Sequence, residues 1–459
     1  MSTCRPVSAP LVVILGATGT GKSELAVDLA VRYNGEIINA DAMQMYKGLP
    51  IITNKISLEE RRSIPHHLLG NIGLDKETWV VGVFKREANR IIQEIRSRGR
   101  LPIVVGGTHY YTKALLFKDS LVEKDDASPE SLSVPDNSAE YPILDDTTEA
   151  MWTKLKEVDP VMADRWHPND RRKIRRSLEI FLTTGKRASD IYAEQRKRKA
   201  AEMAAQDDST PTADALLLWV HSEDPVLKDR LNRRIDKMLD NGLMDEITEM
   251  NDYVKTRLHE GESVDYTTGI WQSIGFKEFQ PYFQAMESGV DGVELEKVKR
   301  DCLEVMKGAT RRYAKYQVKW ITKQMMPLLE EQGNMDRLYV LDSTDVSQYS
   351  ENVIDKAAPL AQQYLAGEEM PAPSSVSETA QNVLSSAMAA ASSSQGTPCR
   401  EHCTLCDATF LKEEEWQKHL RGKAHRRRLR DIKRTALIPA RDVVTALVAV
   451  EDSSPTIPT

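Results

Sequence analysis

Cysteine is scarce in this chain: five thiols in 459 residues, Cys4, Cys302, Cys399, Cys403 and Cys406. An odd, sparse set excludes a disulfide framework, so reduced thiols and an intracellular home are the expectation. Long apolar runs are missing as well. None approaches the roughly 18 residues that a membrane-spanning helix needs. The opening MSTCRPVSAP lacks the apolar centre of a secretory signal and is too short and too poor in arginine for a mitochondrial presequence. The expectation is a cytoplasmic monomer, with mitochondrial and nuclear shares left open. No internal repeat is visible. An apolar fraction of 41% is ordinary for a protein of this length, which suggests about three domains. The net charge of −7 conceals an asymmetry. Acidic residues gather in Glu123–Glu149, and basic ones in Arg171–Arg176, Arg196–Lys199, Arg311–Lys319 and Lys418–Arg434. Basic patches on an acidic chain point to nucleic-acid contact at chosen places.

Against these absences stands one complete motif. Gly16-Ala17-Thr18-Gly19-Thr20-Gly21-Lys22-Ser23 follows the apolar run Leu11–Leu15 and opens an amphipathic stretch. This is the phosphate-binding G-x-x-x-x-G-K-[ST] loop in its strand-to-helix setting. The glycines let the backbone curl so that successive N–H groups converge on phosphate oxygens. Lys22 adds a point charge, Ser23 a hydroxyl able to hold Mg²⁺, and the helix its positive end. Strand candidates at Leu11–Leu15, Glu36–Asn39, Pro102–Val105, Ala215–Val220 and Leu338–Leu341 alternate with helical stretches, including Val226–Leu239 and Leu295–Met326. The class is α/β: a P-loop NTPase-like parallel sheet core, with a helical insertion and a small C-terminal module. The expected division is a core at 1–117 and 206–345, an insertion at 118–205, a low-complexity linker at 346–397, the module at 398–434 and a tail. The insertion starts with an acidic segment, 119–147, that reads as flexible.

Asp41 follows the second strand, where open α/β sheets bind ligands. Three roles stay open for it: a Mg²⁺-positioning carboxylate, a general base, or a cap for the next helix. The third strand runs into Gly106-Gly107-Thr108 instead of the Asp of a nucleotide hydrolase, which weakens that reading. Thr108 faces the same crevice, and His109 reads as a packing residue. In Arg171–Phe181, Ile174, Leu178 and Phe181 form a core stripe, with Arg172, Arg175 and Arg176 largely away from it. These cations are either a solvated face or a track for phosphates. In TRRYAKYQVKWIT, Arg311, Lys315 and Lys319 recur at four-residue spacing beside Tyr313, Tyr316 and Trp320. Cations beside aromatics suit loop RNA, unless the aromatics are core.

Cys403-x2-Cys406 followed by His419-x5-His425 is a C₂H₂ zinc frame, with Phe410 and Leu420 as its small apolar core. Such a module folds only around its metal, so zinc is structural. Lys418, Arg421, Lys423 and Arg426–Arg428 suit RNA or backbone contact. Cys399 lies too close to Cys403 to be an obvious further ligand.

Taken together, GATGTGKS at 16–23, INADAMQMYKGLPIITNK at 38–55, IPHHLL at 64–69, RGRLPIVVGGTHYY at 98–111, HPNDRRKIRRSLEI at 167–180, WQSIGFKEF at 271–279 and RRYAKYQVKWI at 311–321 resemble the tRNA dimethylallyltransferases (tRNA isopentenyltransferases). The finger matches their eukaryotic form. The resemblance spans roughly 11–345, and the acidic insertion and Ala/Ser-rich linker carry none of it. It implies that the loop binds the diphosphate of dimethylallyl diphosphate, although by motif alone it would be assigned to ATP. The implied acceptor is N6 of adenosine 37 in tRNA. Asp41 takes the family's base position and Arg234 its diphosphate-binding arginine. Thr18 and Thr108 match residues near the reacting groups, and Gln195 one near the target base. The implied tRNA contacts are Asp41, Ala42, Met43, Gln44, Thr108, Arg172, Lys173, Arg175, Arg176, Gln195, Arg311, Arg312 and Lys315. Catalytic Mg²⁺ and structural Zn²⁺ complete the expectation. Two other classes remain: a small-molecule P-loop kinase, resting on the loop alone, and a non-catalytic RNA-binding protein.

Overall fold

The computed structural model describes residues 6–117 apart from 77 and 78, 141–194 and 197, 215–392 apart from 263 and 267, and 398–435 apart from 407. The acidic segment 118–140, Gln195 and the tail beyond 435 lie outside the described residues. The chain divides into two compact units, Met1–Pro135 with Arg198–Ser392, and Asp136–Lys197 with Ser393–Thr459.

The first unit is built on six parallel strands in the order β3-β2-β4-β1-β5-β6. In chain order these are β1 (Leu11–Gly16), β2 (Gly35–Asn39), β3 (His66–His67), β4 (Leu101–Val105), β5 (Ala215–His221) and β6 (Leu338–Asp342). Their apolar runs are continuous because both faces are covered. Side chains alternate across the sheet. Val13, Leu15, Ile38, Val104, Leu217 and Trp219 enter one core, while Val12, Ile14, Ile37, Ile103, Leu216 and Leu218 enter the other. The second core is closed by α1 (Lys22–Arg32), through Leu25 and Leu29. The first holds α2 (Val81–Ser97), through Phe84, Ile91 and Ile95. β1 lies between β4 and β5, neither its neighbour in sequence. The connection after β1 therefore runs toward β2 on one side and that after β4 toward β5 on the other, which opens a crevice at their C-terminal ends.

The stretch expected as a linker is instead largely helical. A helix at Asp355–Ala366 packs on the second core, and its Tyr364 hydroxyl accepts from the Leu11 N–H at 3.1 Å. Another, Glu378–Ser392, buries Ala380, Leu384 and Ala387 in the first core. Ala380, Val383, Leu384 and Ala387 follow helical spacing, a stripe hidden by the surrounding Ala and Ser. Among the described residues no helix is long and apolar enough to cross a membrane.

The second unit contains helices at Thr148–Val158, Pro160–Arg165 and Arg171–Thr184, each opened by a side-chain cap: Thr147, Asp159 and Asp170. It also contains a ββα module, with antiparallel strands Pro398–Cys403 and Ala408–Lys412 and helices Glu413–Leu420 and Lys423–Thr435. The module is held to the helices inside this unit. His167 Nε2–H donates to the Thr409 carbonyl at 2.9 Å, and Arg400 pairs with Asp164 while covering the Trp152 ring at 5.4 Å.

Candidate active site

Gly16, Gly19 and Gly21 adopt φ of 144°, 84° and 92°, conformations that turn the loop between β1 and α1. Within that turn Thr20 Oγ1–H donates to the Ala17 carbonyl at 3.0 Å, and Lys22 Nζ reaches the same carbonyl at 2.6 Å. A helix at Asp224–Asp240 then brings two arginines to the loop. Arg234 Nη2 donates to Thr18 Oγ1 at 2.9 Å, and Arg230 Nη1 to the Gly19 carbonyl at 3.1 Å. Arg234 thus joins Thr18 and Lys22 from far along the chain. Arg230 was not singled out in the sequence; it clamps the loop to the Ser343 and Thr344 carbonyls at 2.7 and 2.9 Å.

Across the crevice lies Asp41, just beyond β2. Its Oδ1 accepts from the Met43 N–H at 3.1 Å, and the N–H groups of Gly107 and Gln44 also stabilise the carboxylate. Thr108 Oγ1 accepts from the Ala42 N–H at 3.0 Å, tying the β4 end to the Asp41 turn. The glycine pair is required by contact distance. A Cβ on Gly106 would sit 2.1 Å from the Ala40 carbonyl carbon, and one on Gly107 2.4 Å from Gln317 Nε2 and 2.9 Å from Asp41 Oδ2.

Burial dominates the electrostatics. It lowers Lys22 to about 8, with Asp41 opposing the shift and Arg234 adding to it. It lowers Arg234 to about 10, which leaves a cation at neutral pH. It raises Asp41, against the pull of Lys22 and the peptide N–H groups. His109 is driven to about 3, again chiefly by burial, and is neutral; its ring packs 5.9 Å from Trp320. It is therefore a packing residue, as its sequence setting implies. The arrangement gathers cations and N–H donors on one side and a basic carboxylate on the other.

The helix Gly292–Trp320 separates its aromatic residues. Tyr316 is 60% exposed, whereas Tyr313 turns inward, its hydroxyl bonded to Gln317 and raised by burial and by Asp41. Arg312, Lys315 and Lys319 are exposed, and Arg311 donates to Asn232. Ala42, Met43 and Gln44 line the turn after Asp41, and Ser23 is half-buried at the start of α1. In the second unit Arg172, Lys173 and Arg176 are exposed. Arg175 is half-buried, its Nε donating to the Leu144 carbonyl at 3.2 Å, so part of its donor set holds the fold.

Cys403, Cys406, His419 and His425 bring their ligand atoms within 4.8 Å of one another. Both sulfurs lie 3.5 Å from His425 Nδ1, and His419 Nε2 lies 3.1 Å from it. A tetrahedral zinc implies about 3.5 Å between S and N and about 3.3 Å between two N. The donors fit a structural zinc, with Phe410 packed on His419 at 4.5 Å.

The chain's relatives agree with this geometry. The IPP transferase family matches residues 44–324, and a zinc-finger double-stranded RNA-binding family matches 403–426. The tRNA dimethylallyltransferase of Schizosaccharomyces pombe is 39% identical over 442 residues, 93% of this chain and 96% of that one. The tRNA dimethylallyltransferase of Homo sapiens is 34% identical over 430 residues, 93% and 87% of the two chains. A solved eukaryotic dimethylallyltransferase acting on tRNA superposes with a TM-score of 0.73 at 33% identity, covering 94% of this chain and 98% of that one. Since the family match spans more than half of the chain and relatives at 34–39% identity cover 93% of it, the chain belongs to the tRNA dimethylallyltransferase family.

Proposed function

We propose that the protein transfers a dimethylallyl group from dimethylallyl diphosphate to N6 of adenosine 37 in tRNA, giving N6-isopentenyladenosine and diphosphate. The observation that carries this reading is the pairing of a phosphate loop with Asp41, with a glycine pair where a nucleotide hydrolase has its Asp. The C1–O bond of the donor breaks as the N6–C1 bond forms. Charge developing on the departing diphosphate is met by the loop N–H groups, Lys22, Thr18 and Arg234. The N6 lone pair is delocalised into the purine, so the amine needs a base, and Asp41 accepts its proton. Thr108 holds the Asp41 turn in place.

Ser23 is the loop residue that would hold magnesium. It is half-buried at the start of α1, and a hard oxygen donor there would suit a Mg²⁺ that arrives with the diphosphate. When bound, the ion supplies positive charge to the leaving group. The target base must leave its stack, and phosphate contacts made by the exposed cations Arg172, Lys173 and Arg176, by Arg312 and Lys315, and by the finger offset that cost. Incubation with labelled dimethylallyl diphosphate or γ-labelled ATP, with and without tRNA, tests the reading. Label should enter tRNA from the prenyl donor alone. A phosphorylated product from ATP would support a kinase, and tRNA binding without transfer a non-catalytic role.

A further inference from the structure

We propose that Gln317 is a positioning residue that sets the spacing between the phosphate loop and Asp41. Gln317 is only 2% exposed, and both ends of its amide are engaged. Its Oε1 accepts from the Thr18 N–H at 2.8 Å, and its Nε2 donates to the Gly107 carbonyl at 3.0 Å. Thr18 belongs to the side that receives the leaving group. Gly107 belongs to the side that holds the base, because its N–H supports the Asp41 carboxylate and its neighbour Thr108 accepts from Ala42 N–H. One side chain therefore spans the two halves of the reaction.

The bond pattern specifies the residue type. Gln317 also bonds the Tyr313 hydroxyl; besides that, the site needs one acceptor facing an N–H and one donor facing a carbonyl, on a stem long enough to reach both. Glutamate offers two acceptors, methionine fills the volume with neither bond, and asparagine is one methylene short. The helix that carries Gln317 is braced to the helix that carries Arg234. Arg311 donates to Asn232, and Lys307 Nζ lies 2.8 Å from Asp236. A shift of Gln317 would therefore be felt at the diphosphate arginine as well. Small errors in near-attack geometry are costly: about 1 Å can lower a rate roughly 10²-fold.

The inference rests on Asp41 acting as the base, so Asp41→Asn is measured beside the Gln317 variants. Single-turnover transfer is followed at saturating tRNA and dimethylallyl diphosphate. Affinity for each substrate and the melting temperature are measured on the same full-length proteins. Gln317→Met should lose about 10- to 100-fold in rate, with both affinities and the melting temperature close to wild type. Gln317→Glu, which keeps the Thr18 bond but opposes the Gly107 carbonyl, should lose at least tenfold. A loss below tenfold, or one that follows a fallen melting temperature or a lost affinity, overturns the assignment. If Gln317→Met does not fold, the glutamate variant decides on the same criteria. An inactive Asp41→Asn beside a normal Gln317→Met defeats the positioning role alone. An active Asp41→Asn defeats the base reading itself.

Discussion

Lys22 and Arg234 lie half-buried among peptide groups, whereas Lys173 and Arg176 of the helical insertion keep 54% and 51% of their side chains in solvent. The two regions use positive charge differently. In the crevice every cation is fixed by a backbone or hydroxyl partner, and burial depresses its pKa. Such groups act on charge that develops at one place, with little reorganisation. On the insertion the cations are long and hydrated: Lys173 pairs with the half-buried Asp170 at 2.7 Å, and Arg176 reaches down to the buried Glu179 at 2.8 Å. An exposed pair such as Lys173–Asp170 contributes little to stability, which leaves that cation able to exchange its acid for a phosphate. Chemistry and grip should therefore separate under mutation.

Lys22→Ala should break that comparison most sharply on the crevice side. Removing one preorganised donor to a developing oxyanion lowers turnover by about 10²- to 10³-fold, while tRNA affinity and its salt dependence should hold. The wild-type pH profile gives the same residue a second reading. Lys22 is depressed to about 8 by burial, and the proposed role at the diphosphate requires its charged form. In the free enzyme that charge is lost as pH rises, so kcat/KM for the donor should fall above about pH 8. A profile flat to pH 10 would remove Lys22 from the donor site.

The smallest expected effect belongs to the insertion. Arg172→Ala should weaken tRNA binding slightly and reduce the slope of log Kd against log salt by about one phosphate contact. Chemistry at saturating tRNA should be unchanged. An unaltered salt slope would return Arg172 to an ordinary solvated face.

Much of the crevice was legible because its chemistry is local. GATGTGKS sits between an apolar run and an amphipathic stretch, and Asp41 follows a strand, so both could be placed from neighbours in sequence. The rest depends on distant pairing. Gln317 meets Thr18 across 299 positions, and Arg234 meets it across 216. Spacing within TRRYAKYQVKWIT draws the eye to cations and rings and passes over the one amide that turns inward. Composition misled at 378–392, where small residues read as linker but pack as a helix because the sheet offers them an apolar face. Likewise, the frame of the zinc ligands was plain in sequence, whereas the His167–Thr409 bond, across 242 positions, was not.

The central claim is that Asp41 acts in proton transfer while most of the affinity for RNA is supplied outside the crevice. Asp41→Ala, measured by single-turnover transfer at saturating tRNA and donor with tRNA Kd on the same preparation, tests it most directly. The account expects a rate lower by about 10²- to 10⁴-fold with tRNA affinity retained. A near-normal rate, or a defect lying wholly in tRNA binding, would contradict it.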